Sequence, residues 1–294
     1  MTEVSPLLPD FDSLWDFDNP AESEQRFRLL LKDLEASGDL PAQAELLTQI
    51  ARALGLQRRF EDAQQVLNVV DGILDSVDAP RAAVRLVLEQ GRVFNSQGLK
   101  DDARPFFEKA YEMALEADED FYAVDAAHMM AIVETGYESL AWNHKAIEIA
   151  QGSRFLRTRE WLGSLLNNTG WAYHDLGNFI SALSTFRQVL AWQQAHGTEQ
   201  DIRIAQWCVA RTLRSLGEID EALTMQQALL SVYGGEDPNG YTEEEIGECL
   251  LALDRSAEAQ PYFARAYTVL SNDPWLAANE PARLERLRAL STAE

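Results

Sequence analysis

The sequence predicts an all-α fold, a solenoid of about six helix-turn-helix repeats with an extra N-terminal helix and a C-terminal capping helix. Apolar residues recur at spacings of three and four along almost the whole chain, and the periodic segments break at Gly, Pro, Asn or Asp. A fixed set of small and bulky residues also returns at steps of 37 to 42 residues. Repeats of that length are typical of stacked helix pairs, and no alternating strand pattern interrupts them.

Each repeat places a small and a bulky residue on its first helix and a small, a bulky and an apolar residue on its second. The clearest copy is Gly170, Tyr173, Ala182, Phe186 and Val189, at offsets 0, 3, 12, 16 and 19. Copies with the same offsets start at Ala51, Gly91 and Gly247, and a looser copy starts at Ala210. The degraded third copy aligns as His128, Ala131, Leu140, His144 and Ile147. The small residue lets two helices approach, and we expect the bulky residues to fill the space beside them.

This pattern resembles the tetratricopeptide repeat family, in which a small residue and an aromatic residue precede an Ala and a Phe. The resemblance covers roughly residues 40 to 271. It implies a right-handed superhelical solenoid whose concave groove, lined by the first helix of each pair, binds a protein or a peptide. The repeat step here is longer than the usual length of about 34 residues, so we expect lengthened helices or turns.

The chain divides on this interpretation into an acidic-aromatic arm, residues 1–20, and a single solenoid, residues 21–294. Asn19, Pro20 and Glu22 form a capping arrangement that predicts the start of the extra helix. The repeats are expected at 41–77, 79–117, 119–152, 157–196, 199–233 and 240–271, with the cap at 274–291. Since these elements use nearly the whole chain, no attached DNA-binding or catalytic domain is expected.

The arm combines acidic and large apolar residues. Residues 1 to 25 hold seven acids and no base, interleaved with groups such as Phe11, Trp15 and Phe17. A purely disordered tail would not carry so many apolar groups, so we expect the arm to pack on the first helices and shield them. In a sharper hypothesis, the arm docks into an Arg/Trp groove of its own chain or of a neighbour, as an autoinhibitory plug or a dimer contact.

Composition narrows the classes of partner. The formal charge is −23, from 48 acidic and 25 basic residues, which disfavours nucleic acid and anionic membrane surfaces. A neutral or positively charged protein partner is the easier match. The chain has no run of 18 apolar residues and no secretory signal pattern, and its two cysteines, Cys208 and Cys249, are far apart. These features predict a cytoplasmic protein.

The stretch 167–177, NNTGWAYHDLG, raises the question of catalysis because it contains the pair His174-Asp175. A metal-dependent hydrolase would need further ligands, but the four histidines fall in different repeats without an HxxxH spacing. His128 and His144 are interpreted as core-facing residues of the third copy. No phosphate-binding glycine motif occurs either. We therefore expect no catalytic, cofactor-binding or metal-binding residues, with an enzyme built around His174 and Asp175 as the rival hypothesis.

Groove residues should lie about one helical step from the small residue of each first helix. That rule predicts the following partner-binding residues: Arg52, Arg92, Asn95, Asn167, Trp171, His174, Trp207, Arg211 and Arg214. Arginine binds carboxylates bidentately, tryptophan offers contact area, and asparagine can hold a peptide backbone. The richest patch is expected in the fourth and fifth repeats, from Asn167 to Arg214. Alternatively, the arginines pair with acids of neighbouring repeats and the tryptophans belong to the core.

The sequence thus predicts a non-enzymatic adaptor or scaffold that binds a peptide or protein segment in its concave groove, without a cofactor. One alternative is a peptide- or ligand-responsive regulatory sensor that acts through a change in superhelix shape. A second is a self-assembling structural protein, and a homodimer formed through the arm or the groove is also possible on this pattern.

Overall fold

The structure, a computed structural model, describes residues 11–233 and 239–292. In these ranges the chain forms helices and connecting loops and no β-strand, so the predicted all-α arrangement of helix pairs is confirmed. Residues 1–10 of the arm lie outside the described residues. Contacts divide the chain into two compact units, one ending at Leu165 and the other beginning at Leu166.

The first unit begins with a short 3-10 helix, Phe11–Leu14, followed by α1, Pro20–Ser37. Three helix pairs follow: α2 (Leu40–Leu56) with α3 (Phe60–Leu74), α4 (Pro80–Ser96) with α5 (Lys100–Glu116), and α6 (Asp120–Val133) with α7 (Gly136–Gly152). A one-turn helix, α8 (Leu156–Arg159), comes next and was not predicted. The first helices of successive pairs contact each other, α2 with α4 and α4 with α6, so they share one face of the unit.

The second unit takes over within α9 (Leu162–Asp175), which is followed by α10 (Phe179–His196). Its later pairs are α11 (Glu199–Leu216) with α12 (Ile219–Tyr233) and α13 (Gly240–Ala252) with α14 (Ser256–Leu270). Two terminal helices, α15 (Pro274–Asn279) and α16 (Pro281–Thr292), end the described chain, and α16 packs on α14. The first helices α11 and α13 are again in contact.

Local signals fix where the helices start and stop. Asn19 caps α1 by accepting the Glu22 backbone N–H, as its sequence predicts, and Pro20 occupies the first turn. Gly38 then ends α1 in the left-handed region, with φ of 72°. Thr198 and Asp201 form a reciprocal capping box at the start of α11. The start of α11 and both ends of α1 therefore lie where their own sequence directs.

The glycines of the repeat pattern are packing residues. A Cβ atom at Gly91 or at Gly170 would lie 2.6 Å from a ring carbon of Phe107 or Phe186 on the paired helix. Gly247 faces Phe263 in the same way, with a corresponding distance of 2.8 Å. The three phenylalanines are buried. The packing interpretation of the stretch around Gly170 is therefore confirmed.

The alignment of the third repeat is wrong by one residue. His144 is exposed, whereas Asn143 and Ala146 are buried on α7. Ala127, also buried, packs with Ala146. The copy that fits the burial is therefore Ala127, Met130, Ser139, Asn143 and Ala146, with the same offsets as the others. The error arose because a polar pair, Ser139 and Asn143, stands where four of the other copies have Ala and Phe or Leu and the fifth, looser copy has Ala222 and Gln226.

Candidate functional site

A cavity of about 350 Å³ lies against the first helices of the first unit. Its lining is rich in arginine and aromatic side chains: Asp12, Trp15, Phe17, Arg52, Arg85, Leu88, Glu89, Arg92, Phe121, Tyr122, Asp125, Arg157 and Trp161. Helices α2, α4 and α6 supply most of these residues, while the arm and the segment after α7 supply the rest. Two of the predicted groove residues, Arg52 and Arg92, are among them.

Arg85 joins the three first helices. Its Nη1 donates to Glu45 Oε1 on α2 at 2.7 Å and to the Tyr122 hydroxyl on α6 at 2.8 Å. The guanidinium is buried, and its Nε has no hydrogen-bond partner among the described residues. Burial raises the pKa of Tyr122 to about 12, so this hydroxyl stays protonated at neutral pH. Arg85 is therefore a buried cation at the wall of the cavity, paired with Glu45 and Asp12.

Arg52 and Arg92 share acidic partners from the neighbouring helices. Arg92 contacts Glu89 Oε1 and Asp125 Oδ1, both at 2.5 Å. Burial works against ionisation of Asp125, but the nearby Arg92 and Arg52 guanidinium groups lower its pKa below the ordinary value. Arg52 lies 3.7 Å from Glu89 Oε1, and its side chain is 29% exposed. Burial and the adjacent Arg92 charge lower the pKa of Arg52. Of the four arginines that line the cavity, Arg52 thus has the longest ion-pair distance.

The arm lies against this surface in residues 11–18. Phe11 is buried in the core with α1 and α2, at 2% exposure. Asp12 contacts Arg157 Nη2 at 2.5 Å and Arg85 Nη2 at 3.5 Å. Trp15 donates from Nε1 to Gln49 Oε1 at 2.9 Å. The described part of the arm therefore packs on the first helices and also reaches the arginines.

Asn95, the third predicted groove residue of this unit, borders a smaller cavity of about 140 Å³. Arg52 and Arg92 border the same cavity, together with Gly55 and Ser96. The structure therefore brings the three predicted residues of the first unit together at one surface.

The predicted residues of the second unit also come together. The rings of Trp171 and Trp207 have centroids 6.0 Å apart, and Trp171 lies 5.3 Å from the His174 ring. Both tryptophans are partly buried against the core of this unit. Asn167 Oδ1 accepts from the Cys208 thiol at 3.8 Å. Part of each tryptophan thus belongs to the core, as the alternative interpretation held.

Arg211 and Arg214 both pair with one acid on the neighbouring first helix. Arg214 binds Glu245 bidentately, at 2.7 and 3.0 Å, and Arg211 Nε lies 2.9 Å from Glu245 Oε1. Glu245 is buried. All four predicted arginines therefore make ion pairs with an acid of the neighbouring helix pair, and two guanidinium groups in the second unit share one carboxylate.

The structure gives His174 a serine as hydrogen-bond partner. His174 Nε2 hydrogen-bonds Ser215 Oγ at 3.0 Å, while Asp175 is exposed. Burial and the Arg211 charge lower the pKa of His174. Burial raises the pKa of the Cys208 thiol to about 12, which disfavours the nucleophilic thiolate. Among the described residues, no three His, Cys, Asp or Glu side chains are grouped to hold a metal ion.

Several residues of the first cavity were not predicted, notably Arg85, Tyr122 and Arg157. A signal for two of them exists in the repeat itself. Glu45 and Arg85 lie six residues before Ala51 and Gly91, and Tyr122 lies five before Ala127. At this position the first two repeats align an acid with a base, while the Tyr122 hydroxyl lies one position later in the third repeat. Arg157 lies in the irregular segment after α7, where the repeat gives no register.

The comparisons with known proteins agree with this architecture. The tetratricopeptide repeat family model matches residues 163–196. Over 167 residues the chain is 24% identical to the outer dynein arm-docking complex subunit 4 of Danio rerio, a match that covers 52% of this chain and 32% of that protein. The chain thus spans about a third of the length of this curated relative.

Solved structures resemble the chain over most of its length. The apo form of the quorum sensor NprR from B. thuringiensis matches with a TM-score of 0.67 at 14% identity, covering 97% of this chain and 83% of that one. NprR in complex with its cognate peptide NprX matches with a TM-score of 0.55 at 13% identity, covering 96% and 83%. At such identities the likeness concerns the fold. None of the described helices combines the length and apolar character needed to cross a membrane.

Proposed function

We propose that this chain, a tetratricopeptide-repeat protein, is a non-enzymatic interaction module that binds a peptide or protein segment on the first helices of its first unit. The observation that carries the proposal is the cavity of about 350 Å³, where Arg52, Arg85 and Arg92 converge with aromatic side chains. Arginine and large aromatic residues are the types enriched at the energetic centres of protein interfaces.

The cavity has unused binding capacity. Its volume falls within the range of about 300 to 1,000 Å³ that is typical of ligand sites. Glu89 serves both Arg52 and Arg92, and the Arg52 contact is long at 3.7 Å. A guanidinium group offers five donors, so a carboxylate or a backbone carbonyl of a partner could bind Arg52 without displacing the shorter ion pairs.

The predicted patch of the second unit, from Asn167 to Arg214, stays a prediction as a second contact surface. Arg211 and Arg214 both neutralise the buried Glu245, so they stabilise the fold as well as offering a binding surface. Reversing the charge of Arg211 and Arg214 together would leave three carboxylates clustered and would disturb the fold. Single changes in the first unit therefore test the proposal more cleanly.

The test is a selection of displayed peptides on the immobilised full-length chain, followed by affinity measurements in solution. We expect Arg52→Gln to weaken the selected peptides about 30-fold, since a hot-spot residue contributes about 2 kcal/mol or more. The matched control is Arg81→Gln, on the same helix as Arg85. Arg81 pairs with Glu119 and is not among the residues that line the cavity.

The comparison of the two variants shows whether the peptides bind at the cavity of the first unit or at another surface. Loss of binding with Arg52→Gln but not with Arg81→Gln supports the proposal. If the selected peptides bind the wild type, Arg52→Gln and Arg81→Gln equally, the binding surface lies elsewhere. If a folded chain selects no peptide at all, the proposed function is wrong.

A second candidate is a peptide-responsive regulatory sensor. It is favoured by the likeness in fold to NprR, which is a quorum sensor and whose structure with a cognate peptide also matches. In that case peptide binding would change the arrangement of the helix pairs and thereby alter a second interaction. Small-angle scattering with and without a selected peptide distinguishes a sensor from a static adaptor.

Other features remain predictions from the sequence. They are a cytoplasmic location, the exclusion of nucleic acid, and self-assembly or dimerisation through the arm. Sedimentation at several protein concentrations would measure the last of these directly.

A further inference from the structure

We infer that residues 12–17 are a built-in substitute for the partner, because their side chains contact the arginines at the wall of the cavity of the first unit. The cavity would then recognise a partner segment of the same chemistry, an acidic residue followed by aromatic residues three and five positions later. This inference rests on the proposed function and adds to it the class of partner and the means of its regulation.

The acidic part of the segment sits between two arginines. Asp12 Oδ2 lies 2.5 Å from Arg157 Nη2, and Asp12 Oδ1 lies 3.5 Å from Arg85 Nη2. The Arg157 guanidinium carbon in turn lies 3.6 Å from the centroid of the Phe121 ring, which holds the guanidinium group in place. Asp12 thus makes the contacts that a carboxylate of a bound peptide would make.

The aromatic part of the segment meets a third arginine. The rings of Trp15 and Phe17 stack with centroids 4.7 Å apart and planes within 1° of parallel. The Arg52 guanidinium carbon lies 5.8 Å from the Trp15 ring and 5.5 Å from the Phe17 ring. Cation–π contacts of this kind are specific for aromatic partners. A carboxylate subsite and an aromatic subsite therefore lie side by side.

Charge explains why an acidic segment would be favoured. Four arginines line the cavity, but only two carboxylates other than Asp12 do so. With Glu45 paired to Arg85, the four guanidinium groups exceed these carboxylates by one, a local positive excess in a chain whose formal charge is −23. An acidic partner segment would be attracted to the cavity and repelled by most of the remaining surface.

Phe11 and the backbone of Asp16 are held more firmly than the side chains that face the cavity. Phe11 is buried in the core, and Ser23 Oγ both accepts from the Asp16 backbone N–H and donates to its carbonyl. In contrast, the Asp12 side chain is 32% exposed, and Phe17 is 58% exposed. A partner could therefore replace the cavity-facing groups and loosen residues 12–17 while Phe11 stays in the core.

The test uses a labelled synthetic peptide with the sequence of residues 11–18, FDSLWDFD, added to the full chain. Binding is measured by fluorescence anisotropy with the wild type, with the Asp12→Ala/Phe17→Ala double variant and with Asp18→Ala. Asp18 is the matched control because it is an exposed acid of the same segment that is not among the residues lining the cavity. Phe17→Ala alone serves as a milder second variant, and circular dichroism confirms folding.

We expect the double variant to bind the peptide at least about tenfold more tightly than the wild type. The reason is that a tethered competitor acts at a high effective concentration and lowers the apparent affinity of an added ligand. Asp18→Ala should behave like the wild type. Adding Arg157→Gln to the double variant should abolish the gain, because the carboxylate would lose its closest partner.

The possible results separate this inference from the proposed function. If the peptide binds no variant, or binds wild type and double variant equally, while selected peptides still depend on Arg52, the inference is wrong and the proposed function stands. If neither kind of peptide binds, both fail. If a single-stranded oligonucleotide displaces the peptide more effectively than unlabelled peptide does, the cavity recognises phosphate and the inference is overturned.

Discussion

Glycine sets the distance between paired helices at three copies of the repeat. At Gly170 a methyl group would lie 2.6 Å from a ring carbon of the buried Phe186. We expect Gly170→Ala to lower the free energy of unfolding by about 1 to 3 kcal/mol, because overpacking outweighs the better helix propensity of alanine. The measurement is urea denaturation followed by circular dichroism.

The matched control for this change is Gly72→Ala on α3. Apart from the adjacent turns of its own helix, no described part of the chain lies within 4 Å of a Cβ placed at that position. We expect Gly72→Ala to be neutral or to stabilise the chain by up to about 1 kcal/mol. Equal effects of the two changes would contradict the packing role of Gly170.

Two histidines make the stability of the chain sensitive to mildly acidic pH. Burial lowers the pKa of His128 and of His174 from the ordinary value of 6.5. The unfolded chain therefore takes up protons first as the pH falls below that value, and the free energy of unfolding decreases until the folded-state pKa is passed. Carboxylates in model peptides titrate near about pH 4, below this window.

We expect the urea concentration at the denaturation midpoint of the wild type to decrease as the pH is lowered from 7 to 5. The decrease should be smaller in a His128→Gln/His174→Gln variant. The urea midpoints of both chains at pH 7, 6 and 5 provide the measurement. Parallel decreases in the two chains would show that other groups control the pH dependence.

At the scale of helices, the third pair departs from the repeat pattern at one buried position, and we expect this departure to lower the stability of the fold. Asn143 occupies the position of the repeat phenylalanine and is buried, and its Oδ1 has no hydrogen-bond partner among the described residues. Leucine has nearly the same shape without the polar atoms. We expect Asn143→Leu to raise the free energy of unfolding by about 1 to 3 kcal/mol. Thermal denaturation checks this, and a destabilised variant would show that the amide has an essential partner.

The arm contributes a buried ring to the first unit. Phe11 is 2% exposed and packs with Phe27 and residues of α2 in one core cluster. We expect Phe11→Ala to cost about 3 to 5 kcal/mol. Phe17→Ala, at a ring that is 58% exposed, should cost less than about 1 kcal/mol. Denaturation curves of the two variants should therefore separate widely, and similar curves would argue against a structural role of Phe11.

Helix positions followed from the sequence better than side-chain pairs did. Caps such as Asn19 and small residues such as Gly91 act locally or on the adjacent helix, so their patterns remain visible in the sequence. The third repeat failed because polar Asn143 occupies an apolar position, and hydrophobic periodicity cannot register it. The pairing of Arg85 with Glu45 joins residues 40 positions apart, and its geometry depends on how the helix pairs stack.

At the scale of the whole molecule, the predicted groove residues form two clusters, each within one unit. Arg52, Arg92 and Asn95 border cavities in the first unit, while Trp171 and Arg211 belong to the second. The sequence favoured the second cluster because it contains more tryptophan. Binding at the first unit is indicated instead by the contacts between the arm and the first helices. These contacts join residues that are far apart in the sequence, such as Asp12 and Arg85, which are 73 positions apart. Periodicity carries no information on such a contact.

The central claim is that the first helices of the first unit bind a peptide segment and release the cavity-facing part of the arm. Hydrogen exchange of the full chain, with and without a saturating selected peptide, tests it most directly. The account predicts slower exchange in α2, α4 and α6 and faster exchange in residues 12–17. Slower exchange confined to the second helices α3, α5 and α7, with the arm unchanged, would contradict it.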